Sequence, residues 1–229
     1  MTILLLQGVL KKFNKNLEDE IVKSFELNFS EEIVLFGMNF TELANDLFQF
    51  KGKENIKAVY LNLNFLDKIP INLFHDLKNL QHIDLSGNRI QNLKCELFYN
   101  SSGLKMINLA YNRLSQIEKL AFNRLDQLTE LQLCFNRLTS IDQFVFSGLN
   151  NLVILNLSHN NLSILDPNSF ADLENLRELY LNNNHLTYIS AGVFENLIKI
   201  KRIDLRKNNL KDFEVNLMIV LRDNVEIKI

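Results

Sequence analysis

Apolar residues alternate along this chain over short stretches, and the alternation keeps ending in the same way. In LKMINLAYNRL, residues 104–114, Leu104, Ile107 and Leu109 mark one face of a strand, the pattern stops at Asn112, and Leu114 lies just beyond it. With Leu104 as position 1, Ile107 and Leu109 take positions 4 and 6, Asn112 position 9, Leu114 position 11, Ile117 position 14, Phe122 position 19 and Leu125 position 22. A shift of 24 residues finds the same types again. LTELQLCFNRLTSIDQFVFSGLNN from 128, LVILNLSHNNLSILDPNSFADLEN from 152 and LRELYLNNNHLTYISAGVFENLIK from 176 keep the register without an insertion. Units from Ile56 and Leu80 do the same, and the unit from Ile200 follows through Phe213.

Self-similarity at such a period decides the fold ahead of any local helix or strand preference. The period-two stretch predicts one strand per unit, with positions 4 and 6 facing a core and positions 3, 5 and 7 facing outward. Strands stacked in parallel at about 4.8 Å form one side, and a bulkier return segment forms the other, so the stack curves. Where the chain leaves each strand it turns inside the stack, and buried turn amides and carbonyls need partners. A side-chain amide supplies donors and an acceptor together. Asn64, Asn88, Asn112, Asn136, Asn160, Asn184 and Asn208 are therefore expected to form a ladder, and Phe48, Phe74, Phe98, Phe122, Phe146, Phe170 and Phe194 a second buried spine. The only prolines, Pro70 and Pro167, fall at positions 15 and 16, where no strand hydrogen bond is required.

The pattern L-x-x-L-x-L-x-x-N-x-L with a later phenylalanine resembles the leucine-rich repeat family in its 24-residue, phenylalanine-bearing class. The resemblance implies an α/β solenoid: a curved horseshoe with one parallel strand per repeat on the concave face and irregular or short helical return segments on the convex face. Units are expected to start at 30, 56, 80, 104, 128, 152, 176 and 200, with a partial unit from 224, so that residues 30–229 form the solenoid and residues 1–29 a degenerate N-terminal repeat or cap. The unit from Ser30 is looser, since Met38 takes the asparagine place. At the far end Asn224 becomes position 1, which puts Ile227 and Ile229 at positions 4 and 6. The family's cysteine-rich caps have no counterpart, which points to an incomplete product or to end strands that pair with another chain, as a homo- or hetero-oligomer.

Function has to be read from the columns that the repeat leaves free. At position 3 stand His82, Met106, Glu130, Ile154, Glu178 and Arg202; at position 5 Tyr60, Asp84, Asn108, Gln132 and Tyr180; at position 7 Arg206; at position 8, the rim, Tyr111, Phe135 and His159. The three rim aromatics occupy consecutive repeats, a composition that favours a protein-binding surface over random exposure. Asp84, Glu130 and Glu178 tint the centre acidic, while Arg202, Arg206 and Lys207 turn the C-terminal end basic. A protein ligand on the concave face is the expected partner.

Composition narrows the alternatives. With 25 Lys and Arg against 27 Asp and Glu, neither a net positive charge nor a basic stripe supports nucleic acid as a partner of the 229-residue chain. No apolar run reaches the length of a membrane span, and MTILLLQGVL, without a basic start or a small-residue cleavage site, reads as a poor signal peptide. His75, His82, His159 and His185 are scattered over different columns, so neither a metal nor a cofactor is expected. Cys134 and His159 lie near enough in the repeat frame to consider a thiol nucleophile and its base. No acid is placed to orient the imidazole and an open sheet offers no oxyanion site, so the expectation is no enzyme. Cys95, at position 16, is too far from Cys134 for a bridge.

The resemblance is to secreted and cell-surface proteins, such as Toll-type receptor ectodomains, small matrix proteoglycans and insect immune proteins. It implies an extracellular recognition module in immunity, adhesion or the matrix. Sequons at Asn28, Asn39, Asn100 and Asn161 agree with a glycoprotein; the one at Asn156 would place a glycan on the inner face. Two unpaired cysteines favour the alternative, a cytoplasmic scaffold or adaptor using the same surface.

Overall fold

A computed structural model describes residues 31–49, 52–211 and 225–229. The chain is a solenoid whose inner wall is one parallel sheet of nine strands among these residues, in the order β1-β2-β3-β5-β7-β8-β9-β10-β11. They are β1 (Glu32–Val34), β2 (Ala58–Tyr60), β3 (His82–Asp84), β5 (Met106–Asn108), β7 (Glu130–Gln132), β8 (Ile154–Asn156), β9 (Glu178–Tyr180), β10 (Arg202–Asp204) and β11 (Glu226–Lys228). Their central residues pair in one continuous register, Ile33 with Val59, then Ile83, Ile107, Leu131, Leu155, Leu179, Ile203 and Ile227. All of these up to Ile203 are buried, which is position 4 filling the core as the alternation requires.

The return side consists mainly of turns, with short 3-10 helices at Lys53–Asn55 and Ala191–Phe194. A second, two-stranded parallel sheet joins β4 (Asn92–Leu93) to β6 (Gln116–Ile117), an element too short to leave a period of its own in the sequence. The expected repeat over residues 1–29, the sequon at Asn28, Ser30, Phe213 and the start of the last partial unit at Asn224 lie outside the described residues.

Two ladders hold the turns together. Asn112 donates from Nδ2 to the carbonyls of Leu109 at 3.1 Å and of Leu85 in the preceding repeat at 2.9 Å, while its Oδ1 accepts the N–H of Ile90 at 3.0 Å. Asn136 repeats this with Leu133, Leu109 and Leu114, and Asn88 with Leu85, Leu61 and Leu66. Each asparagine thus satisfies groups of two consecutive turns. Under the outer arc, Phe48, Phe74, Phe98, Phe122, Phe146 and Phe170 stack with centroids 6.1 to 6.2 Å apart, and Phe194 extends the buried column. Position 7 departs from the expected outward-facing column in its three central members. Ala110, Cys134 and Ser158 are buried, and these are the three that precede the rim aromatics Tyr111, Phe135 and His159.

Replacing Asn112 by alanine leaves the Ile90 N–H without its acceptor in a dry turn and takes one of two amide donors from each of the Leu85 and Leu109 carbonyls, which keep Asn88 and Asn136. It is expected to lower unfolding stability by about 2–3 kcal/mol in a denaturant titration, against less than about 0.5 kcal/mol for alanine at the exposed neighbour Arg113. Phe122→Ala, which opens the second ladder, is expected to cost about 3–5 kcal/mol in the same measurement.

Candidate functional site

The column at position 8 carries a constraint that the repeat pattern does not announce. Gly37, Leu63, Gly87, Tyr111, Phe135, His159, Asn183 and Lys207 all sit in the left-handed region, with φ between 53° and 66°. The cause is the turn itself. The N–H of position 8 still bonds to the next strand, as Tyr111 to the Cys134 carbonyl at 3.0 Å and Phe135 to that of Ser158 at 3.1 Å, while the asparagine that follows is already locked into its ladder. Glycine meets this geometry without steric cost and asparagine tolerates it, which accounts for Gly37, Gly87 and Asn183. A bulky ring there costs about 1 kcal/mol.

Three consecutive repeats nonetheless carry rings. Tyr111 and Phe135 stack with centroids 4.2 Å apart and planes within 8°, and Phe135 and His159 stack at 4.0 Å and 12°. Mutual stacking returns part of the backbone cost, about 0.5–1.5 kcal/mol per pair. Tyr111 remains 58% exposed and Phe135 37%, so folding alone does not require either ring. Met106 and Ile154 are half-buried on the strands alongside, as are His82, Gln132 and Tyr60. Burial raises the Tyr60 hydroxyl above its usual titration range, with the charges of Glu32 and Asp84 adding to it.

Several of the other inner-face residues are committed to the protein itself. At position 5, Asp84, Asn108 and Asp204 each accept the backbone N–H two residues on, at 2.8, 3.1 and 3.1 Å, and Asn156 does so at 3.0 Å. These side chains brace the strand ends, and Asn108 also donates to Asp84 at 3.3 Å. Gln132 donates to Glu130 at 3.0 Å. The basic C-terminal end is internally neutralised. Arg202 bridges Glu178 at 3.2 Å and Glu226 at 2.9 Å, with the Tyr180 hydroxyl bonded to Glu178, and Arg206 clasps Asp204 at 2.6 Å. Lys207 alone of the three basic residues has no acidic partner among the described residues.

Burial disfavours ionisation of Asp204, but the Arg206 guanidinium and backbone N–H outweigh it and hold the carboxyl below its ordinary range. Cys134 is a buried free thiol, and burial pushes its pKa up, away from the thiolate that a nucleophile needs. The ring of His159 is engaged in the stack with Phe135. On the return side Cys95, Glu96 and Glu118 come within 4.8 Å of one another. Hydrogen bonding to Glu96, together with burial, raises the Cys95 thiol, and Lys94 neutralises Glu118 at 2.5 Å. Asn39, Asn100 and Asn161 of the sequons are exposed, whereas the Asn156 side chain is bonded to Ser158 on the inner face. Among the described residues no helix is long and apolar enough to cross a membrane.

A stack of parallel strands, closed from the second unit onward by asparagine turns and backed by phenylalanine, defines a curved repeat protein with an open inner face and rim. The sequence model of the leucine rich repeat matches residues 54–114, 83–133, 126–186 and 174–222, and the chain belongs to that family. Among curated proteins none matches the chain. Among solved structures it is similar to TLR13 in a TLR13–ssRNA13 complex, at 32% identity and a TM-score of 0.71, covering 76% of this chain and 24% of that one. It also resembles a chain of the Drosophila Toll–Spätzle complex, at 21% identity and a TM-score of 0.56, covering 81% of this chain and 33% of that one. The chain thus spans about a quarter to a third of the length of these receptor structures.

In a double-mutant cycle with alanine at Tyr111 and Phe135, unfolding titrations are expected to give a coupling of about 1 kcal/mol. Because the Asp204 carboxyl is lowered in the folded state, its contribution is complete above the unfolded value near ~3.9 and is lost as pH falls through the folded one. The stability gap between wild type and Asp204→Asn should therefore shrink in thermal melts taken from about pH 6 down to about pH 3.

Proposed function

We propose that this chain is a non-enzymatic recognition module that binds a partner protein across its concave face and rim, in extracellular immune recognition. The observation that carries the reading is the stack of Tyr111, Phe135 and His159, three rings kept in a backbone conformation that glycine occupies one repeat earlier. Strain maintained at exposed positions is a mark of function, and the ring types are those that dominate protein-binding hot spots. Met106, Ile154 and His82 extend this apolar contact on the strands; Tyr60, Asp84, Asn108, Glu130, Gln132, Glu178, Tyr180, Arg202 and Arg206 form the polar surround. Because all of these polar residues but Tyr60 are bonded to neighbours, they meet a partner in fixed positions and lose little side-chain freedom on binding.

The setting rests on likeness to TLR13 and Toll, one recorded with single-stranded RNA and the other with the protein Spätzle. Exposed sequons at Asn39, Asn100 and Asn161 support an extracellular glycoprotein. The free thiols of Cys95 and Cys134 favour a second reading, a cytoplasmic adaptor using the same face.

Capture from biological extract by the intact protein, compared with a variant carrying alanine at Tyr111, Phe135 and Tyr180, tests the surface. Loss of a hot spot of this kind is expected to weaken retention of a specific partner by about 30-fold or more. Equal recovery by both forms removes the concave-face reading. Expression in a secreting cell tests the setting: a secreted product with glycans at the exposed sequons supports the extracellular reading, and an unglycosylated chain kept in the cytosol favours the adaptor.

A further inference from the structure

Two residues beyond the aromatic rim, each turn presents another free column, position 10. It reads Phe65, Arg89, Arg113, Arg137 and Asn161 in successive repeats. The three arginines are consecutive and exposed. Their backbones are fixed by bonds to the preceding turn, Arg89 to the Leu66 carbonyl at 2.8 Å, Arg113 to that of Ile90 at 2.9 Å and Arg137 to that of Leu114 at 2.8 Å. Their side chains therefore leave the solenoid from rigid points one repeat apart.

What sets these arginines apart is that three cations without a counter-charge follow one another in a single column. Some cations elsewhere are matched, as Lys94 with Glu118 and Arg202 with Glu178 and Glu226, and others, such as Lys105 and Lys207, stand singly in their columns. Among the described residues none of Arg89, Arg113 and Arg137 pairs with a carboxylate; the guanidinium of Arg89 lies over the Phe65 ring, 4.5 Å from its centroid. The turn segments 86–92, 110–116, 134–140 and 158–164 contain no Asp or Glu at all. Three like charges at about the 4.8 Å strand interval repel one another, and an anion from outside relieves that repulsion.

The sign reverses across the rim. From Glu32 to Asn183, positions 3, 5, 7 and 8 carry no Lys or Arg, and the central repeats place Asp84 and Glu130 there. Across the central repeats taken together, a column of arginines, the rim rings Tyr111 and Phe135, and a face bearing the acids Asp84 and Glu130 therefore follow one another. A phosphodiester or sulfated chain, carrying one sign throughout, is attracted by the first strip and repelled by the last. A protein can present both signs with an apolar side chain between them.

We infer that the turn flank formed by Arg89, Arg113 and Arg137 docks an acidic stretch of the protein partner, with an apolar residue of that stretch covering Tyr111 and Phe135. The inference rests on the reading of the chain as a protein-recognition module and adds the chemistry of the partner. Guanidinium groups suit it because they clasp carboxylates through two parallel N–H bonds.

The test uses fluorescence anisotropy with three probes: a random glutamate–tyrosine copolymer, polyuridylate of matching charge, and a heparin fragment. The copolymer is expected to bind more tightly than either other probe, and more weakly as salt is added. Each Arg→Ser change is expected to weaken it about two- to fivefold and the triple change about 30-fold, with unchanged thermal melting. Replacement of all three by lysine should recover part of the affinity, since charge remains while the paired N–H geometry is lost. Tighter binding of polyuridylate or heparin overturns the inference in favour of a polyanion ligand, and an unchanged affinity in the triple variant overturns it outright. If a partner captured by wild type is lost by the Tyr111 and Phe135 variant and kept by the triple arginine variant, the concave-face reading stands and the flank inference falls. Loss in both forms supports both.

Discussion

Each time the chain leaves a strand of the inner sheet, backbone donors and acceptors enter a space without water, and a single side-chain amide per turn satisfies them. Asn88, Asn112 and Asn136 each hold two strand-end carbonyls and one N–H, and in each case one of those carbonyls and the N–H belong to the previous repeat. The ladder therefore couples neighbours as well as closing turns. A repeat cannot be completed without the one before it, which is why stability in such a stack is a sum of units and interfaces rather than the property of one core. The first unit shows the limit of the rule: Met38 stands in the asparagine place and packs partly against the core, while Asn64 reaches back to the Phe40 N–H and the Leu35 carbonyl.

From that turn follows the geometry of everything a partner meets. Locking position 9 while position 8 still belongs to the sheet forces the left-handed conformation at the rim, where glycine and asparagine fit most easily. The aromatic stack occupies that rim in spite of the backbone, and the small residues beneath it, Ala110, Cys134 and Ser158, are buried. Position 5 is drawn into the same scheme, since its carboxylates and amides brace the N–H of position 7. A surface that looks freely variable in composition is thus partly a consequence of how each strand ends.

Charge on this molecule is organised locally. A net charge of −2 conceals a C-terminal network in which Arg202, Arg206 and Lys228 cancel Glu178, Glu226 and Asp204, an acidic centre, and a flank of unmatched arginines. Interactions among exposed charges fade over about 10 Å at moderate salt, so a partner responds to these zones and not to the sum. The fold supplies the means of keeping the zones distinct, because each column of the repeat stays on its own line along the solenoid.

The sequence by itself determined the architecture. Its period, the alternation at positions 4 and 6, and the asparagine and phenylalanine columns are the whole of the packing problem for a stack in which each unit touches only its neighbours, and so the strands, their parallel register and both ladders were legible. The rim aromatics were legible as a composition, though not their strain, because a backbone angle forced by two simultaneous hydrogen-bond commitments leaves no mark on residue type beyond Gly37, Gly87 and Asn183. Tertiary structure decided which polar residues are already occupied. Arg202 and Arg206 read as a basic patch until their carboxylate partners are seen, while Arg89, Arg113 and Arg137 read as ordinary turn residues until the lack of any such partner is seen. Pairing is a property of distance in three dimensions, and only the folded chain sets that distance.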